Sequence, residues 1–149
     1  MKSGRRTVLK GGMAFLALLG LPRALLGSIW PVQAFESTAA SEALISLFGT
    51  DQTVASQDVV LTAPTFAENG AIVPVTVKTS LQGVKSISIV VNNNPRPLAA
   101  SFDLSATTLP DIACRIKMAE TSDVVAVVET DGGFFSATAN VTVTIGGCA

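Results

Sequence analysis

The chain has 149 residues, enough for one domain, with 10 Lys and Arg against 11 Asp and Glu and a net charge of −1. It contains two cysteines but neither histidine nor tyrosine. A Cys-His or Ser-His catalytic pair is therefore excluded, and a zinc site would have to be built from two thiols and carboxylates alone.

The first stretch reads as an address. Gly4-Arg5-Arg6-Thr7-Val8-Leu9-Lys10 is a paired-arginine start, the apolar run Gly11 to Leu21 follows, and Val32-Gln33-Ala34 has the small residues that suit a peptidase cut before Phe35. The apolar run is shorter than the about 20 residues of a membrane-spanning helix, and Pro22 and Arg23 interrupt it. Residues 1–34 are thus expected to be a cleaved twin-arginine signal that delivers the protein to the periplasm. Removing that leader takes away five cations and no acid, which leaves five cations against eleven acids and a net charge of −6. Nucleic acid and anionic membrane surfaces would repel such a chain, so neither is an expected partner.

Next, Ala40, Ala43, Leu44, Leu47 and Phe48 recur at three- and four-residue spacing, which predicts one short amphipathic helix over Phe35 to Phe48. Ser37 or Thr38 would cap its start and Gly49 would end it. From about Asp58 the pattern is β throughout. Val59 and Leu61 alternate with polar neighbours; Ala67-Glu68-Asn69-Gly70 reads as a turn; Ile72, Val73, Val75 and Val77 form a strand in which Pro74 demands an edge or a bulge. Ile87 to Val91 is a further run. Asn92-Asn93-Asn94-Pro95-Arg96-Pro97 is a loop stiffened by two prolines, and Leu98 to Phe102 resumes the extended chain. Ala113 to Met118 alternates Ala113, Arg115 and Lys117 with Cys114, Ile116 and Met118, which puts Cys114 on the buried face. Val124 to Val128 is apolar without a break and reads as a central strand. Asp131-Gly132-Gly133 turns the chain into Phe134 to Ala137, and Val141 to Ile145 is the last strand. About seven or eight strands behind one helix point to an all-β fold, an immunoglobulin-like antiparallel sandwich over residues 35–145. Asn140-Val141-Thr142 matches a glycosylation sequon, a coincidence behind a bacterial-type leader.

Residues 146–149, Gly146-Gly147-Cys148-Ala149, hang a thiol directly after that strand. Glycine leaves no side chain to pack down, so this tail is expected to be a mobile arm. Extended at roughly 3.3 to 3.6 Å per residue, Gly146 to Cys148 would carry the sulfur about 10 Å beyond the sheet. The arm does nothing to activate its own sulfur: histidine is absent, and the α-carboxylate of Ala149 disfavours a neighbouring thiolate.

Ala63-Pro64, Ala67-Glu68-Asn69-Gly70-Ala71, Val73-Pro74-Val75, Asn94-Pro95-Arg96-Pro97-Leu98, Arg115-Ile116-Lys117-Met118, Glu120-Thr121-Ser122 and the terminal strand with Gly146-Gly147-Cys148 occur here in one order. In that combination the chain resembles the SoxY family, the sulfur-carrier subunits of the periplasmic Sox system that oxidises thiosulfate. The resemblance implies an immunoglobulin-like subunit bound as a heterodimer to a SoxZ-like β subunit, with no cofactor, no metal and no active site of its own. Cys148 would be the covalent attachment point, Gly146, Gly147 and Ala149 the rest of the swinging arm. It further implies a heme-containing enzyme that loads thiosulfate, a hydrolase that releases sulfate, and in some organisms a sulfane dehydrogenase. Family members commonly end Gly-Gly-Cys-Gly-Gly; this chain has Ala149 alone after its cysteine, and Cys114 is an additional thiol.

Two other readings stand beside the carrier. The cysteines of an exported domain serve structural disulfides, and a Cys114–Cys148 bridge would stabilise the fold by about 3 to 4 kcal/mol; the protein would then be a non-catalytic binding or assembly subunit. A thiol enzyme is the other, with no acid-base partner visible for it. Arg96, Arg115 and Lys117 are candidates for contact with an anionic adduct or a partner enzyme, against the plainer role of solvated surface charges.

Overall fold

The computed structural model describes residues 30–147. Most of the expected leader, together with Cys148 and Ala149, lies outside that range. The unit that begins at Pro31 opens with two helices, α1 (Val32–Glu36) and α2 (Ala40–Phe48). Nine strands follow: β1 (Val54–Ala55), β2 (Val59–Thr62), β3 (Phe66–Asn69), β4 (Val73–Thr79), β5 (Val84–Val91), β6 (Leu98–Asp103), β7 (Asp111–Ile116), β8 (Ser122–Thr130) and β9 (Gly133–Ile145).

The strands form two facing sheets. One has the order β1-β9-β8-β5-β6 with β3 added to β9, and the other the order β2-β4-β7. Pairing is antiparallel except where β1 and β3 join β9 in parallel. The all-β sandwich expected from the periodicity is the fold observed. Alternation decides which side chains fill it: Val73, Val75 and Val77 of β4 meet Ile87, Ile89 and Val91 of β5 and Val124, Ala126 and Val128 of β8. The other face of β5 and β8 is buried too. Val90, Leu98 and Val127 lie under Ala34, Ala43 and Leu44 of the helices, and Phe48 packs on Phe134 with ring centroids 5.0 Å apart. Two covered faces explain the unbroken apolar run of β8, which sits between β5 and β9 as the central strand expected.

The expected single helix is broken in two. Ser37 is extended (ψ 143°), its hydroxyl donates to the Gln33 carbonyl at 2.8 Å, and Ala39 is extended as well, so the chain turns between α1 and α2. Neither Ser37 nor Thr38 caps α2. Gly49 ends it as expected, in the left-handed conformation (φ 75°) with its N–H on the Ile45 carbonyl. The expected boundary between leader and domain, after Ala34, falls inside α1, where Ala34 is fully buried.

Three further details differ from expectation. Phe66–Asn69 is a strand rather than a turn, the turn being confined to Gly70 and Ala71; β1 is an additional short strand; and Phe134 to Ile145 is one continuous strand. Pro74 is accommodated as expected for an edge. β2 stops at Thr62 opposite Thr76, so no strand flanks Pro74 on that side.

Ile89 has no exposed surface, and its side chain stands between the two sheets. Ile89→Ala should lower the unfolding free energy by about 2–5 kcal/mol, seen in urea as a lower midpoint with an unchanged m-value.

Candidate functional site

The last strand outruns its neighbour. β8 begins at Ser122, opposite Val141, so four residues of β9 extend past it, and other groups take over its backbone. On one side β3 continues the pairing as far as Asn69 opposite Ile145. On the other, the Thr121 hydroxyl accepts the Val143 N–H at 2.9 Å.

Beyond Ile145 three separate segments are stitched together by backbone alone. Gly70 N–H donates to the Ile145 carbonyl (2.7 Å), Met118 N–H donates to the Gly70 carbonyl (2.7 Å), and Gly147 N–H donates to the Met118 carbonyl (2.8 Å). Two asparagines shape the segments that meet there. Asn69 Oδ1 accepts the Ala71 N–H at 2.8 Å, which fixes the turn after β3. Asn94, buried, spans the bend after β7: its Nδ2 donates to the Lys117 carbonyl at 2.8 Å and its Oδ1 accepts the Ala119 N–H at 2.9 Å. Between those two anchors sits Met118, whose side chain is fully buried.

The space left for the arm's base admits no side chain. A Cβ on Gly146 would collide with the Ala119 carbonyl oxygen, and one on Gly147 would stand 2.5 Å from the Ala71 nitrogen and 2.6 Å from the Gly70 carbonyl carbon. A Cβ on Gly70 would collide with the Met118 carbonyl oxygen and lie 2.8 Å from the Gly147 nitrogen. All of these obstacles are backbone atoms, so no rotamer change relieves them. None of the three glycines has positive φ, so it is missing bulk rather than left-handed backbone that their positions use. Gly146 and Gly147, expected from the sequence to belong to a mobile arm, lie against the turns at 70–71 and 118–119. Cys148 and Ala149, the thiol and the last residue of the arm, lie outside the described residues.

The candidate cations collect on the segments bordering this end. Arg115 pairs with Pro74 across β4 and β7, Lys117 supplies a carbonyl to Asn94, and Arg96 follows Asn94 by two residues. All three are exposed and none forms an ion pair among the described residues. A cavity of about 630 Å³ opens at the opposite end of the sandwich, between the Thr79–Lys85 turn and the Leu104–Pro110 loop, remote from the arm.

Cys114 is a free, half-buried thiol opposite Val75, packed against the main core on the side shared with Ile116 and Met118 as the alternation predicts. Burial pushes its pKa up, because the thiolate is poorly solvated there. Among the described residues no group of three or more Cys, Asp or Glu side chains is placed to hold a metal ion, and no helix is long and apolar enough to cross a membrane. Sequence reasoning missed Asn94, Thr121 and Gly70 as parts of the site. Their signal was faint: an asparagine before a proline reads as loop chemistry, and which backbone its amide reaches is a tertiary fact.

Comparison with known proteins gives a consistent picture. Residues 45–148 match the family described as sulfur oxidation protein SoxY. The sulfur carrier protein SoxY from Chlorobium limicola f thiosulfatophilum is 40% identical, with a TM-score of 0.63 over 70% of this chain and 94% of that one. A superoxide reductase (neelaredoxin) from Ignicoccus hospitalis shares the fold alone, at 14% identity and a TM-score of 0.51 over 57% of this chain and 78% of that one. No curated protein matches the chain.

A raised pKa and a half-buried position make Cys114 a slow nucleophile. In a Cys148→Ser background, its alkylation by iodoacetamide near neutral pH should lag well behind that of a free cysteine. The rate should climb only as pH passes above the ordinary thiol range of about 8.5, and denaturation should abolish the lag, all readable by intact mass.

Proposed function

The chain belongs to the SoxY family, and from that premise we propose that it is a covalent carrier of sulfur intermediates, holding them on the Cys148 thiol and presenting them to successive enzymes of reduced-sulfur oxidation. The observation that carries this reading is the reach of the family match: it runs through residue 148 and so includes the cysteine beyond Gly146-Gly147. The geometry supports it, because the last strand brings Gly146 and Gly147, the residues just before that cysteine, to one end of the sandwich.

The chemistry asked of the carrier is small. On loading, a sulfur–sulfur bond forms between Cys148 Sγ and the sulfane sulfur of thiosulfate. The thiol proton goes to solvent, and two electrons pass to the heme-containing enzyme that acts as oxidant. Hydrolysis of the resulting thiosulfonate then cleaves the bond to the sulfonate group, water supplying the oxygen, so that sulfate leaves and a persulfide remains on Cys148. A sulfane dehydrogenase is the third visitor where it exists. The carrier needs only a thiol, a support and surfaces that fit each enzyme in turn, so it requires no cofactor and has no active site of its own. Arg96, Arg115 and Lys117, exposed around the arm's base, offer positive charge where an anionic adduct or a docking enzyme would meet an otherwise acidic protein.

The setting follows from the family and the leader. The protein works in the periplasm, exported through the twin-arginine route after residues 1–34 direct it there. It acts as a heterodimer with a SoxZ-like β subunit. Folding and pairing before export fit that route, which moves folded cargo.

Intact-mass spectrometry of the protein isolated from thiosulfate-grown cells tests this. Additions of sulfur or thiosulfonate that reductant removes should map to Cys148, and Cys148→Ser should lose them together with thiosulfate oxidation while keeping the fold. A mass lower by two hydrogens, with peptides joining Cys114 to Cys148 and no adduct in any growth condition, would overturn the carrier in favour of a disulfide-stabilised assembly subunit.

A further inference from the structure

We propose that Asn94 and Gly70 are positioning residues for the carrier thiol: they build a slot of backbone that holds Gly146 and Gly147, so that Cys148 is presented from a fixed point at the end of the sandwich. This rests on the reading of Cys148 as the carrier and adds how its position is set.

The slot has two walls. One is the Gly70–Ala71 turn, the other the Met118–Ala119 bend, and both oppose the arm with backbone atoms. Walls of that kind do not depend on side-chain identity and do not move aside, which leaves room for two consecutive glycines and nothing larger. The same two letters that would suit a loose tether are therefore required by a tight one.

Asn94 sets the second wall. Its carboxamide engages both sides of Met118 at once, as donor to the Lys117 carbonyl and acceptor from the Ala119 N–H. That double contact turns the Met118 carbonyl toward the Gly147 N–H and places the Ala119 carbonyl against Gly146. An aspartate in its place could accept but not donate, and an alanine could do neither. Gly70 sets the first wall and links both sides, giving its N–H to Ile145 and its carbonyl to Met118.

Reach is what this arrangement controls. Measured from a docked Gly147, the Cα of Cys148 is only one peptide step away, about 3.8 Å; measured from Ile145 with the glycines released, Gly146 to Cys148 spans roughly 10 Å. An enzyme with its reactive centre at the surface can use the seated arm, whereas one with a deep channel must draw both glycines out of the slot.

Amide hydrogen exchange at Gly147, followed by NMR on the full chain, reads the slot directly. The wild-type amide should exchange at least about tenfold slower than an unstructured glycine. Asn94→Ala and Gly70→Ala should both bring it to the unstructured rate and speed maleimide labelling of Cys148 severalfold, with amides of β5 and β8 still protected. Asn94→Asp should fall between wild type and Asn94→Ala. Gly147→Ala, which alters the occupant rather than the walls, should raise labelling in the same way even if Gly70→Ala does not fold. A wild-type Gly147 that exchanges at the unstructured rate would overturn the proposal, as would protection that survives Asn94→Ala in a folded protein. Failure of the carrier reading has a different signature, the absence of any adduct on Cys148, and leaves these exchange rates where they are.

Discussion

The carbonyl of Met118 is where the fold and the arm meet. It accepts the Gly147 N–H, while the N–H of the same residue donates to Gly70 and its side chain is buried in the core. Backbone hydrogen bonds of this kind are individually modest, about 0.5–1.5 kcal/mol net. Their value here is geometric. Three segments distant in sequence converge on one residue, and each leaves the others no space for a Cβ. The position of the last described residue before Cys148 is thus fixed by the packing of the whole sandwich.

That packing is arranged so that one end can be specialised. β5 and β8 are buried on both faces, between the second sheet and the two helices, and they carry most of the core. β9 borrows this support through β8 along most of its length and then runs past the start of β8 from Thr142. On the edge that β8 has left, the Thr121 hydroxyl takes the Val143 N–H, while β3 pairs with the opposite edge of the same stretch. A free strand end of four residues would expose unpaired backbone; covering it with a short parallel strand keeps the end of the sheet ordered up to the arm.

The periodicity of the sequence was enough for the sandwich, because β4, β5, β7 and β8 each bury an alternating or unbroken apolar set. It was blind where structure depends on distant partners. β1 and β3 are short, lack alternation and exist through parallel pairing with β9 near the other end of the chain. The break between α1 and α2 was hidden because apolar spacing continues on both sides of Ser37, and a serine hydroxyl that bonds back to Gln33 looks like a serine that caps forward. Ala34 carries a small side chain that lets α1 lie close on the sheet beside Val90 and Val127. Gly146 and Gly147 pose an ambiguity of their own. Absence of a Cβ gives freedom to a loose chain and admission to a narrow slot, and only the neighbouring backbone says which applies.

On the proposed reading, in which Cys148 carries the sulfur, the other thiol must stay out of the chemistry. Cys114 meets that need through position. It sits on the core side of β7, where burial raises its pKa and withholds the thiolate that would compete for an activated sulfur compound. The cations are distributed in the opposite sense. Arg96, Arg115 and Lys117 lie on exposed positions around the arm's base without an ion pair among the described residues, whereas Lys78 and Lys85 are engaged with Asp111 and Asp131. At the end where the arm's base lies, these three cations share the surface with the exposed acids Glu68, Glu120 and Asp123. Exposed charges of this kind add little to stability, but they bias encounter and orientation, which is the contribution a carrier that must dock briefly and leave again can use.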